Sequence, residues 1–270
     1  NMNSGGVMVI PSVSNSTTAV GTYTVLAGEN IAALGATTPM LLGIGTLQDS
    51  AGNNADLTAI TVSNISPGKT IGVDGNRPVV SNITSSTGDG TFPQGSLINI
   101  EVNFDSIVNI TGTPQLTIET GLTDAVLNYT SGTGTANIRF AYTVAAGHTS
   151  ADLDYQSIGA LALNGGTIKD VAGNDALITL PTVGGAGSLG NTQNIAVDGS
   201  VPTVTNVTST TLNGLYNAPD VIDVSVSFSE IVNVVGGVPS IALSSGGTAT
   251  YAAGTGSNTL TFSYTIGAGE

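Results

Sequence analysis

Residues 97–104 read Leu-Ile-Asn-Ile-Glu-Val-Asn-Phe. Apolar side chains at Ile98, Ile100, Val102 and Phe104 alternate with Asn99, Glu101 and Asn103. Successive side chains of an extended strand point to opposite faces, so one face of this strand is apolar and must be covered. The same alternation returns at Ile138, Phe140, Tyr142 and Val144. These residues are the predicted core. Further strands are expected at residues 79–84, 115–119, 125–129, 161–163, 178–180 and 194–197. Gly-, Pro-, Asn- and Asp-rich clusters such as GDGTFPQGS and GGAGSLG read as the turns between them. Helix should be scarce, with a single turn at most over residues 29–34 or 150–153. Short antiparallel strands at this spacing predict an all-β fold of β-sandwiches with Greek-key connections.

Outward from this stretch, the chain repeats itself. VDGNRP at 73–78 returns as VDGSVP at 197–202, an offset of 124 residues. LINIEVNF returns as VIDVSVSF at 221–228, and IVNITGTPQLTIE from Ile107 as IVNVVGGVPSIAL from Ile231. YTSGTGTANIRFAYTVAAGH, ending at His148, matches YAAGTGSNTLTFSYTIGAGE, ending at Glu270, with two residues lost. In the other direction, YTVLAGEN from Tyr23 matches YTVAAGHT from Tyr142. GIGTLQDSAGNNADLT from Gly43 matches NGGTIKDVAGNDALIT from Asn164. Residues 77–200 are therefore expected to form one complete repeat, 1–76 the back part of a preceding one, and 201–270 the front part of a following one.

Composition narrows the function. Eighteen acidic residues face four basic ones, Lys69, Arg77, Arg139 and Lys169, for a net charge of −14. Nucleic-acid binding needs clustered bases to neutralise phosphates, and that cluster is missing. With 40% hydrophobic and 8% charged residues the chain is apolar enough to fold. The absence of Cys removes disulfides and thiolate metal sites. No apolar run reaches the roughly 18 residues of a membrane helix. The start shows no leader, and Asn1 in place of Met reads as a chain processed or cut from a longer one.

The blocks VDGSVPTVTNVTS, DVIDVSVSFSEIV, GTPQLTIETG, SADLDY, LNGGTIKDVAGN and VDG, in this order, resemble the long bacterial immunoglobulin-like repeats of giant surface proteins and adhesins. The resemblance covers nearly all of the chain beyond residue 22. It implies tandem immunoglobulin-like sandwiches, an extracellular stalk at the bacterial cell surface, and Ca²⁺ between domains.

Candidate metal ligands follow from oxygen chemistry. The block D-x-A-G-N occurs at Asp49–Asn53 and Asp170–Asn174, where Gly allows a left-handed turn that brings an Asp and an Asn together. With the linker acids Asp74 and Asp198, and with Glu230 of the family's Ser-Glu pair, these residues could hold Ca²⁺ at a junction. The competing reading is an Asx turn, in which Asp accepts from backbone N–H groups. In the complete repeat the Ser-Glu pair reads Asp105-Ser106, so one ligand is displaced there. His148 aligns with Glu29 and Glu270 at a polar turn and reads as a surface histidine. One His, no Cys and no convergent acid–base set lead to the expectation of no enzyme.

The expected function is structural or adhesive: an extended stalk or fibre on a secreted surface protein, whose partners are neighbouring repeats and a cell-surface or matrix ligand. One alternative is a self-assembling extracellular filament or surface-layer subunit, joined by strand exchange between partial repeats. A weaker alternative is a carbohydrate-binding module, which would need exposed aromatics in a chain with only 4% of them.

Overall fold

The structure, a computed structural model, describes residues 2–36, 45–57 and 70–269. Lys69, Glu270 and the ends of the block at 43–58 lie outside the described residues. The chain divides into two compact units, Asn1–Asp198 and Gly199–Glu270.

The first unit runs β1 (Asn30–Ile31), β2 (Val73–Asp74), β3 (Val80–Ser85), β4 (Gly90–Pro93), β5 (Leu97–Thr111), β6 (Gln115–Ile118), β7 (Ala125–Ser131), β8 (Thr135–Thr143), β9 (Thr149–Ser150), β10 (Leu161–Ala162), β11 (Thr167–Lys169), α1 (Leu189–Thr192) and β12 (Ile195–Asp198). Its spine is the 15-residue β5. β8 pairs antiparallel along it, β3 pairs with its first half and β11 with its last three residues. The sheet continues from β8 through β7 and β6 to β10. A separate sheet places β12 parallel to β4 and antiparallel to β9.

The alternation decides what is buried. Ile98, Ile100, Val102, Phe104, Ile138, Phe140 and Tyr142 are all within 4% of complete burial. They share one cluster with Leu153, Tyr155, Leu189, Ile195 and Val197 from the chain after β8. Burying such a side chain contributes about 1.5–3 kcal/mol each, so this face fixes the strand register: a slip of one residue would expose all of it.

The second unit is built to the same plan. β13 (Val204–Ser209), β14 (Val221–Val232), β15 (Ser240–Ala242), β16 (Thr248–Ala253) and β17 (Ser257–Thr265) form one sheet in the order β13-β14-β17-β16-β15. That is the order β3-β5-β8-β7-β6 of the complete repeat. Ile222 faces Tyr264 as Ile98 faces Tyr142, and Val207 faces Val226 as Ile83 faces Val102. Irregularities fall at the same points, Tyr129/Ser131 and Tyr251/Ala253. Edge-to-face ring pairs match as well, Tyr129 with Phe140 and Tyr251 with Phe262, both at 77°. The first copy keeps a smaller part of the plan. β1 pairs with β2 through Asn30 and Asp74 as β9 pairs with β12 through Thr149 and Asp198. Leu34 N–H donates to Ile71 O at 2.7 Å as Leu153 N–H does to Ile195 O.

Several local expectations need correction. Residues 178–180 form no strand; Leu177 makes a single parallel bridge to Val79, and Leu180 N–H donates to Ile158 O at 2.9 Å. Residues 29–34 and 150–153 carry β1 and part of β9 rather than helical turns. The helical turn is α1, where the Ser188 hydroxyl accepts from Asn191 N–H at 3.2 Å as an N-cap. GDGTFPQGS is not all turn: it contains β4, whose parallel pairing departs from the antiparallel expectation.

The β7–β8 turn depends on one glycine. Gly132 has φ +113°, and a Cβ there would lie 2.1 Å from Asn137 O; Gly254 repeats this with φ +109° and 2.2 Å to Thr259 O. Gly134, at φ +77°, faces open space. Gly132→Ala should therefore cost at least about 2 kcal/mol and Gly134→Ala about 1 kcal/mol or less. Chemical denaturation of the two variants checks this, and equal losses would contradict the steric account.

Candidate functional site at the repeat junction and the open edge

The D-x-A-G-N blocks form closed turns. Asp170 Oδ1 accepts from Asn174 N–H and Asp170 Oδ2 from Asn174 Nδ2, both at 2.8 Å. Asp49 holds Asn53 in the same way at 2.8 and 2.9 Å, and also accepts from Ala51 N–H at 2.9 Å. The Asn53 side chain, then its backbone N–H, holds the Asp49 carboxyl below the usual carboxylate range. In each turn both carboxylate oxygens are taken by N–H donors, and the Asn presents its amide hydrogens. That is Asx-turn chemistry, and as arranged these groups do not fit a Ca²⁺ cage.

The structure brings some of the candidate ligands together. Asn174 Nδ2 also donates to Asp74 O at 2.9 Å, so Asp170, Asn174 and the linker meet at one point. Asp74 Oδ1 accepts from Asn76 N–H at 3.0 Å. Asp198 ends β12 in the first unit, and Glu230 lies half-buried in β14 of the second. Asp49 and Asn53 sit exposed in the first copy. Among the described residues no three His, Cys, Asp or Glu side chains gather in a metal-holding group. The displaced Ser-Glu position acts as a strand cap: Asp105 Oδ1 accepts from Val79 N–H, and Ser229 Oγ from Thr203 N–H, both at 2.9 Å.

What the sequence reading missed is that the junction carries its own cations. Arg77 Nε donates to Asp175 O at 2.7 Å, and Lys169 Nζ meets Asp175 Oδ1 at 2.6 Å. The hydrogen bond from Lys169, its charge, and then the charge of Arg77 hold Asp175 below the usual carboxylate range. Two of the chain's four bases thus stand at the linker. In the first copy the charged pair is replaced by a neutral one, Gln48 Nε2 donating to Asn54 Oδ1 at 2.9 Å. Leu177 N–H donates to Pro78 O at 2.7 Å, fixing the buried proline of the linker.

The polar turn after β8 is also different from the expectation of an exposed histidine. His148 is half-buried, stacks on Tyr142 with ring centroids 5.9 Å apart, and its Nδ1 lies 2.9 Å from the Tyr142 hydroxyl. In the first copy Glu29 takes the same place: it is buried and accepts from the Tyr23 hydroxyl and from Leu26 N–H. The position selects a hydrogen-bond partner for a tyrosine, a signal present in the sequence as the paired offsets of Tyr23–Glu29 and Tyr142–His148.

In the second unit an open cleft lies beyond the end of β14, lined by residues 233–239 and Leu260. Val235 and Val238, exposed by 85% and 72%, stand at its rim. Among the described residues no helix is long and apolar enough to cross a membrane. No family model, curated protein or solved structure matches the chain.

Burial pushes Tyr142 and Tyr155 up to about 12, with the charge of Asp154 adding to the effect on Tyr155. A folded-state value above the ordinary value near 10 means stability that is complete below about pH 10 and is lost as pH rises toward 12. Melting temperature should therefore fall over that window, and Tyr142→Phe should flatten the fall. A Tyr142→Phe variant with an unchanged alkaline profile would contradict this.

Proposed function

We propose that the chain is a stretch of tandem immunoglobulin-like repeats from a bacterial surface protein, serving as a non-catalytic stalk or fibre that holds other parts of that protein away from the cell. The observation that carries this reading is the equivalence of the copies: the same strand order, the same facing residues and the same turn glycine recur at offsets of 122 to 124 residues. Copies in series stabilise one another locally and give reach by number rather than by new folds.

The junction supports the same reading. VDGNRP is not a flexible tether: Asn174, Asp175, Ala176 and Leu177 hold Asp74, Arg77 and Pro78 by four hydrogen bonds. Proline restricts the backbone further. Arg77 and Lys169 partly offset the local acids, which favours a linker held by these bonds without Ca²⁺. Tyr142, Tyr155, Tyr264, Phe104, Phe140 and Phe262 are buried, which disfavours the carbohydrate-binding reading.

Two measurements test the proposal. Antibody raised against residues 77–200 should label intact, unpermeabilised cells that make the protein; labelling only after permeabilisation would overturn the surface assignment. A Ca²⁺ chelator should leave the melting temperature unchanged, whereas Asn174→Ala should destabilise by about 1–2 kcal/mol through the lost junction bonds. A fall of several degrees on chelation would show a cation in place of the Arg77 and Lys169 charges.

A further inference from the structure

The first and last segments of the complete repeat run side by side in the same direction. Val79 bridges Leu177 in parallel, and Leu177 N–H donates to Pro78 O at 2.7 Å. Further along, Ile83 N–H donates to Gly187 O at 2.8 Å, and the Thr192 hydroxyl donates to Ile83 O at 2.7 Å. Gln193 Nε2 donates to Thr84 Oγ1 at 3.1 Å. Asn194 N–H donates to Asp89 Oδ1 at 2.9 Å, and Gly90 N–H to Asn194 O at 3.1 Å. The run ends in β4 and β12, whose parallel register sets Ile195 opposite Gly90 and Asp198 opposite Pro93. The two segments approach closely midway, where a Cβ on Gly187 would lie 3.2 Å from Ser81 O.

This order fixes where the chain enters and leaves the repeat. It enters beside Leu177, where Arg77 Nε also donates to Asp175 O. It leaves at Asp198, beside Pro93. Entry and exit therefore stand at opposite ends of one pair of parallel segments. An antiparallel pair would have put them at the same end.

The difference decides how tension acts. A lengthwise pull draws residues 78–93 one way and residues 177–198 the other. Hydrogen bonds between strands run across the strands, slanted where the pair is parallel, so this sliding strains all of them together. A pull that separates two strands from one end breaks their bonds one after another. The core resists the same sliding, because Val80 and Ile83 of the first segment share a buried cluster with Leu189, Ile195 and Val197 of the last. β12 is held on its other side as well, with Val197 opposite Ser150 and Asp198 opposite Thr149 of β9.

We propose that residues 78–93 and 177–198 form a shear clamp that keeps the repeat folded under lengthwise tension. The clamp is a property of the fold of the complete repeat; only the source of the tension rests on the stalk reading.

The chain has no Cys, so paired cysteines give specific handles for single-molecule force measurements on the full chain. Asn76→Cys with Val201→Cys, both exposed positions, pulls the complete repeat lengthwise. Gln94→Cys, also exposed, with Val201→Cys pulls Pro93 and Asp198 apart and peels β12 from one end. At one pulling speed the lengthwise pair should rupture at a force at least about twice that of the peeling pair, since bonds strained together set the barrier that governs forced unfolding. Thr192→Val removes one clamp bond at nearly constant shape and should speed lengthwise rupture about fivefold. Thr130→Val removes a similar bond outside the clamp, from the Thr130 hydroxyl to Arg139 O, and should change that rate by less than about twofold. Equal forces for the two handle pairs, or equal effects of the two valine variants, would overturn the proposal while leaving the surface-labelling result untouched.

Discussion

One constraint runs through the molecule: the apolar face of a long alternating strand must be covered by a second layer. In β5 this face carries Ile98, Ile100 and Val102, all fully buried. The cover comes from the chain that follows β8, through Leu153, Tyr155, Leu189, Ile195 and Val197. In β14 the counterparts Ile222 and Val224 are only half-buried, although strand order and register are the same. Hydrogen bonding sets the ladder in both copies; coverage is what distinguishes them. Two equal ladders with unequal cover are expected to differ in stability, since most of the favourable term comes from apolar area removed from water.

The junction follows from the same arrangement. Because the end of a repeat folds back beside its beginning, the D-x-A-G-N turn at 170–174 lands on the linker at 74–78. The turn is closed by its own Asp and Asn, and Arg77 and Lys169 both stand beside Asp175. A short linker held by these bonds is not the flexible coil of a Gly/Ser tether.

The alternation at 97–104 and 138–144, and the offsets between copies, were legible because both are long-range regularities written in residue types. Core and register follow from them directly. Short elements were not legible. β4 is four residues of Gly-Thr-Phe-Pro and β11 is three residues, too few to show a period, and both exist because a partner strand waits for them. The run 178–180 has strand-like composition, yet Leu180 is claimed by a single bond to Ile158 O. At the candidate site, Asp170 and Asn174 were identifiable as a pair, but composition could not show that the Asn174 backbone and side-chain N–H groups both turn to the Asp170 carboxylate. Arg77 and Lys169 were visible as isolated bases, and only the fold brings them to one acid, Asp175.

Residue-resolved hydrogen exchange on the chain tests the role of coverage most directly. The amides of Ile100, Val102 and Phe140 should exchange only through global unfolding of the first unit. Those of Val224, Val226 and Phe262, in an equivalent ladder, should exchange at least tenfold faster. Equal protection in the two ladders would contradict the claim that a covering layer, rather than the sheet itself, holds the repeat together.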